Sequence, residues 1–344
     1  MPADILANRE TERNRCFPLN YPQIRNLLRL ICLLLILMYG GGCKPAEMPA
    51  QELPAGPDAA LIQACPWQYS LARTFTELPP AAVEISLNRN GSKLFVVGNR
   101  SLHVLNSDSG EIERQWELPG TGTAVSSNSD DQIFVAITNQ ILHFDTNGKL
   151  RKSWDSVRID DKNRQFRMIT GLAATATEVF VADAGLRRVF RFAIDGDFIG
   201  EIGAPDKIAG VPGLRLPSPH LSCVVVAENL LAVNNPGLRR IEYYDFNGNL
   251  KHFYGASGTG MKEFSGCCNP TNLAGTGASE LTLATSEKGL PRIQVFSPDG
   301  DVLAYIGPEH FNKQSSGIAL ALSPDAGSIY ALDPGSSRIL VFKR

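Results

Sequence analysis

Val179-Phe180-Val181-Ala182-Asp183-Ala184-Gly185-Leu186-Arg187-Arg188-Val189 reads as a buried strand, a short loop and the start of a second strand. Aliphatic and aromatic residues favour a pleated, half-buried surface, and the Asp and Gly that follow favour a turn. The same pattern is written six times. The counterparts of residues 179–182 are Leu94-Phe95-Val96-Val97, Ile133-Phe134-Val135-Ala136, Leu230-Leu231-Ala232-Val233, Thr282-Leu283-Ala284-Thr285 and Ile329-Tyr330-Ala331-Leu332. The strands that follow begin at Leu102, Ile141, Val189, Ile241, Ile293 and Ile339, so successive starts lie 39 to 52 residues apart. Three residues into each comes Leu105, Phe144, Phe192, Tyr244, Phe296 or Phe342. Turns follow at Asn147-Gly148, Asp195-Gly196, Asn247-Gly248 and Asp299-Gly300, dipeptides suited to tight hairpins. Short strands joined this way give one four-stranded antiparallel sheet per repeat. Repeats of this length and content predict an all-β, six-bladed β-propeller.

Closure of the ring is legible too. The sixth repeat has strands near 316–323, 328–333 and 338–343, and the sequence ends at Arg344 without a fourth. Residues 67–78 (Trp-Gln-Tyr-Ser-Leu-Ala-Arg-Thr-Phe-Thr-Glu-Leu) precede the first repeat and have no blade of their own. Donating this strand to the last blade removes an exposed edge, which is otherwise an aggregation hazard. The last blade is therefore expected to be closed by the N-terminal strand.

Residues 179–189 resemble an NHL repeat, as do residues 231–241. The stretch from Phe253-Tyr254-Gly255-Ala256-Ser257-Gly258-Thr259-Gly260 through Phe264 and Asn269-Pro270 resembles that family's connector between blades. The resemblance covers about 67–344. It is strong in repeats three to six and weak in the first two, which lack the Asp-x-Gly-x-x-Arg element. It implies an NHL-type propeller and no activity by itself.

The chain has 344 residues, 43% hydrophobic and 20% charged, which is too apolar for a disordered chain. A net charge of −2 argues against a nucleic-acid partner. Arg25 and Arg29 precede ten apolar residues, 30–39, followed by Gly40-Gly41-Gly42-Cys43. A basic stretch, a short apolar run and small residues mark an export signal, and the run is too short for a spanning helix. Small residues before a cysteine resemble a bacterial lipoprotein box, with Gly40 where that box usually has an aliphatic residue. The resemblance implies lipidation of Cys43; the alternative is a signal peptide cut nearby. Residues 44–64, with Pro45, Pro49, Pro54 and Pro57, have neither helix nor strand period and read as an extended tether. The expected organisation is a signal peptide over 1–42, a lipid-bearing cysteine and tether over 43–66, and a propeller over 67–344. The last two parts carry 28 basic and 32 acidic residues, so attachment to anionic lipid would rest on the lipid anchor. The expected location is the cell envelope of a bacterium, with the chain monomeric.

Arg188, Arg240, Arg292 and Arg338 recur at one position in four repeats, which marks a structural part, because a site needs its residue once. Asp183, Asn234 and Asp333 at the ends of second strands suit turn capping. The glycine-rich residues 255–266 contain no phosphate-cradle motif and precede a strand. Among the five histidines, only His220 is placed to reach the channel mouth. The residues aligned at the channel end of first strands are Ala82, Ala124, Gly171, Ser222, Asn272 and Gly317, with no carboxylate to hold calcium. Cys267-Cys268-Asn269-Pro270 is the one non-repeated feature, on the connector into the fifth blade. Three readings stay open for it: a vicinal disulfide, two buried or cross-paired thiols, or a two-thiolate metal site aided by His220. Cys223 reads as a core thiol, and Cys65 as a staple for the tether whose partner is not legible.

The candidate ligand-binding residues are His220, Cys267, Cys268, Asn269 and Asn272. A complete scaffold without a convergent acid–base, nucleophile or metal set reads as a binding module for a ligand or an envelope protein, using its channel face. The alternative is a metal-dependent propeller enzyme, lyase or lactonase-like. No catalytic residue and no cofactor is assigned.

Overall fold

Six four-stranded antiparallel sheets stand in a ring, forming a six-bladed β-propeller. The computed structural model describes residues 56–159, 162–276 and 282–344. The expectations for the signal peptide, Cys43 and most of the tether lie outside these residues. Those described belong to one compact unit, Leu53–Arg344.

Blade 1 runs Glu84–Leu87, Lys93–Gly98, Ser101–Asn106, Ile112–Glu117, from the channel outward. Blades 2 to 5 repeat this order, with first strands Gly122–Ser127, Ile169–Ala174, Cys223–Ala227 and Asn272–Gly275. Blade 6 has Ala319–Leu322, Ser328–Asp333 and Arg338–Lys343, and its outer strand is Ser70–Phe75. That strand pairs antiparallel with the end of the chain, Ser70 opposite Lys343 and Phe75 opposite Ile339. The N-terminal strand closes the last blade. Each first strand packs against the next around the ring, and Glu84–Leu87 packs against Ala319–Leu322 to complete it.

Alternation along the second and third strands fills the space between blades with aliphatic and aromatic side chains. The fully buried set includes Leu94, Leu102, Phe134, Phe180, Phe190, Phe296 and Phe342. Register is uniform: Leu94 pairs with Leu105, Ile133 with Phe144, Val179 with Phe192, Leu231 with Tyr244, Leu283 with Phe296 and Ile329 with Phe342. In blades 4 and 5 the repeat unit thus starts at Leu231 and Leu283, one residue later than Leu230 and Thr282. A one-residue slip would turn every side chain to the other face, so packing, not the local apolar run, sets this register.

Two departures concern segments outside the blades. Within the tether, Ala59–Gln63 forms a short helix capped by the Asp58 carboxylate, which accepts from Ala60 N at 2.7 Å, in place of extended chain. Between blades 2 and 3 the chain makes an extra hairpin, Ser156–Ile159 with Lys162–Gln165, which the repeat count does not contain.

Candidate functional site

The channel wall is made of first strands, and pairing across the sheets sets which residues share a level. Val97, Ala136, Ala182, Asn234, Ser286 and Leu332 each pair with the first residue of the third-strand motif. Opposite them stand Glu84, Ala124, Gly171, Ser222, Asn272 and Ala319. The ring of expected residues is therefore corrected at two positions: Glu84 replaces Ala82, and Ala319 replaces Gly317. The expectation that no carboxylate stands at this level fails. In blades 1 and 6 alike the alignment slips by two, because pairing across the sheet sets the level. Counting back through the turn at Asn90-Gly91 places Glu84 opposite Val97, a signal that was available.

Small side chains let the strands approach here. At Gly171 an added Cβ would lie 2.9 Å from the Leu221 carbonyl and 3.1 Å from Ser222 Cα. Polar side chains carry hydrogen bonds from blade to blade. Thr170 Oγ1 donates to the Leu221 carbonyl at 2.8 Å, and Ser222 Oγ accepts from Leu273 N at 3.2 Å. Asn272 Oδ1 accepts from Leu320 N at 3.2 Å, while its Nδ2 donates to Glu84 Oε2 at 2.9 Å. The Glu84–Asn272 bond thus crosses the channel from blade 5 to blade 1. Both residues line two cavities, of about 370 and 230 Å³, one on either side of this waist.

Burial pushes the Glu84 carboxyl up to about 8, against the hydrogen bonds from Ile85 and Asn272 that pull it down. At neutral pH the waist holds a neutral acid whose O–H is a donor. The smaller cavity opens at the face where first strands begin. Val83, Thr170, His220, Thr271, Asn272 and Gly317 are among the residues that line it. Burial, with Lys288 nearby, lowers His220 to about 4, so its imidazole is neutral. His220 reaches the channel mouth.

The Cys267-Cys268 loop lies on the same face. The two sulfurs are 3.1 Å apart and unbonded. Cys267 is exposed and Cys268 partly buried. Asn269 points inward: its Nδ2 donates to the carbonyls of Ser265 (2.8 Å) and Lys288 (2.9 Å), and its Oδ1 accepts from Lys288 N at 2.9 Å. Its amide holds the loop. Asn272 is likewise engaged at both ends of its amide, but it faces the cavity. Cys223 is buried in the core beside Leu231 and Val233, and burial pushes its thiol up to about 12. Cys65 is a free thiol whose sulfur rests 3.6 Å from the Leu61 carbonyl.

Three of the four repeated arginines fasten loops on this face. Arg292 is fully buried, paired with Glu287 at 2.5 Å, and donates to the carbonyls of Thr259 and Glu263 in the connector entering its blade. Arg338 donates to the His310 carbonyl at 3.1 Å and Arg188 to that of Gly203 at 3.4 Å. Arg240 pairs with Glu242 and lies 3.9 Å over the Phe253 ring. Asp183, Asn234 and Asp333 hold the chain entering each first strand; Asp183 accepts from Arg167 N and Met168 N. Asn234 accepts from Ser222 N, and Asp333 from Asn312 N.

His103 and His143 are core residues, and His252 stacks on Tyr243 at the outer strand of blade 4. Among the described residues, no three His, Cys, Asp or Glu side chains converge as a metal site. No protein-family model matches the chain, and no curated protein does.

Proposed function

We propose that the chain is an exported, lipid-anchored propeller of NHL type that binds a small polar ligand, or a protein segment bearing one, at its channel mouth. The observation that supports this reading is the cavity above the waist. It presents a neutral acid at Glu84, a neutral imidazole at His220 and the hydroxyls of Thr170 and Thr271. Such pockets, walled by fixed backbone with a few polar groups, are the usual form of a ligand site. Cys43 would carry the anchor.

The test is native mass spectrometry of the full chain purified from its own envelope. A small molecule released on denaturation is expected with wild type and lost in Val83→Trp, which narrows the mouth from an exposed position. Fatty-acid labelling should vanish in Cys43→Ala. Wild-type chain that releases nothing, together with labelling that survives Cys43→Ala, would sink the reading.

Glu84 is the specific observation that favours the second reading, a metal-dependent enzyme. One carboxylate is short of the three or four protein ligands that zinc takes and the six to eight oxygens that calcium takes. Stoichiometric zinc or calcium, lost in Glu84→Gln, would favour this reading over the first.

A further inference from the structure

We propose that Cys267 and Cys268 form a reversible dithiol–disulfide couple on the loop that enters the first strand of blade 5, oxidised by low-molecular-weight disulfides. Three features of the loop carry this. The sulfurs, 3.1 Å apart, need an approach of about 1 Å to reach a disulfide length. Access is open, since Cys267 is exposed and Cys268 partly so. The loop is also clamped from beneath. Ser265 N and Oγ both donate to the Glu287 carboxylate, at 2.8 and 2.9 Å, and Asn269 ties Ser265 to Lys288. The pair is thus held in position, where a free loop would spend entropy bringing the sulfurs together.

The surroundings distinguish the two thiols. Lys288 Nζ donates to Ser218 Oγ at 3.4 Å, and both groups act on Cys268. Burial raises the Cys268 thiol, but the Ser218 hydroxyl, Cys267 and the Lys288 ammonium outweigh it and hold it below the ordinary thiol range. Cys267 is raised by its hydrogen bond with Cys268. A partly exposed thiol beside a cation is the environment of a reactive cysteine. Cys268 is therefore the attacking group and Cys267 the resolving one.

The chemistry balances with a disulfide RSSR as oxidant. The Cys268 thiolate attacks one sulfur of RSSR, forming a mixed disulfide and expelling RS⁻, which takes up the proton that Cys268 gave. Cys267, losing its proton, then attacks the Cys268 sulfur and expels the second RS⁻, which is protonated in turn. Two thiols lose two electrons to RSSR, and two RSH leave. The return is easy. Neighbouring Cα atoms lie about 3.8 Å apart, closer than the roughly 4.4–6.8 Å of ordinary disulfides, so the oxidised form carries distortion in its linking peptide. Strained disulfides are the labile ones.

This couple needs no ligand in the channel, so its failure and that of the binding reading are separate. The full chain, reduced and then exposed to excess oxidised glutathione, is quenched in acid, alkylated and mapped. The expected product is a 267–268 peptide lighter by two hydrogens, free of glutathione, and restored to two alkylatable thiols by dithiothreitol. Cys267→Ser should trap glutathione on Cys268, and Cys268→Ser should react at least tenfold more slowly. In the Cys267→Ser background, Lys288→Met should move the pH–rate profile of Cys268 alkylation upward. Two thiols that stay alkylatable in the wild type, glutathione retained on both, or a link to Cys65 or to a second chain would each overturn the proposal.

Discussion

Glu84 shares its level of the channel with Ala124, Gly171, Ser222, Asn272 and Ala319, so it carries the only ionisable side chain of that ring. Its carboxyl, pushed up to about 8 from an ordinary value of 4.5, keeps a proton that the unfolded chain has lost above about pH 5. The folded state binds more protons in that window, so stability falls as pH rises. The contribution is complete below pH 4.5 and gone once pH passes 8. Glu84 is partly exposed to the channel, which makes about 1.4 kcal/mol per pH unit an upper bound. Glu84→Gln keeps a neutral partner for Asn272 and removes the titration. Its Tm should gain several degrees on wild type between pH 5 and pH 8, at roughly 2–4 °C per kcal/mol. A difference that stays flat over that range would show that the carboxyl is ionised in the fold at neutral pH.

An arginine stands at or just before the start of the third strand in each of blades 3 to 6, yet these arginines differ in how deeply they are set. Arg292 and Glu287 are both sealed from water, whereas Arg188 and Glu201 are 3.7 Å apart with partly exposed side chains. Removing one partner of a buried pair leaves an uncompensated charge, so Arg292→Met should cost about 3–5 kcal/mol. The double change Glu287→Gln with Arg292→Met should cost less than the single one. Arg188→Met should cost about 1 kcal/mol or less. Urea unfolding midpoints check all three, and equal losses at 188 and 292 would contradict the burial reading. Blades 3 to 6 show in the sequence because a polar residue (Asp183, Asn235, Glu287 or Asp333), a Gly two residues on and an Arg three further make local turns and clamps, which depend on residue type at short range. The level of each first strand in the channel does not show, because it depends on partners across the sheet. Hence Ala124, Gly171, Ser222 and Asn272 were legible, while Glu84 in blade 1 and Ala319 in blade 6 were each missed by two residues, whether or not the repeat carries the motif. Asn269 illustrates the converse: its place on the connector into blade 5 was legible, but its inward-turned amide follows from contacts with Ser265 and Lys288, which lie apart from it in sequence.

At the scale of the molecule, the ring is closed by pairing between its two chain ends. Because Ser70 lies opposite Lys343, the outer strand could be supplied from either terminus. A permuted chain that begins at residue 77 and carries residues 67–76 after Arg344 through an Asn-Gly turn should unfold within a few degrees of the chain 67–344. The same chain without 67–76 should lose the strand that covers Arg338–Lys343 and aggregate. Thermal unfolding by circular dichroism separates the cases; a permutant no better than the deletion would mean that the closing strand needs its own N-terminal flank. That flank is fastened where it enters. Trp67 N donates to the Leu303 carbonyl at 2.9 Å, the Trp67 ring lies 4.2 Å from the Arg344 guanidinium, and Gln68 caps carbonyls of the preceding helix. Any traction on the chain ahead of the ring therefore arrives at Trp67 and then at the Ser70 end of the outermost strand. The load meets the seam first, one hydrogen-bonded pair at a time, while blades 1 to 5 remain joined to one another by covalent backbone. Under tension the molecule is a clasp, and blade 6 is where it unfastens.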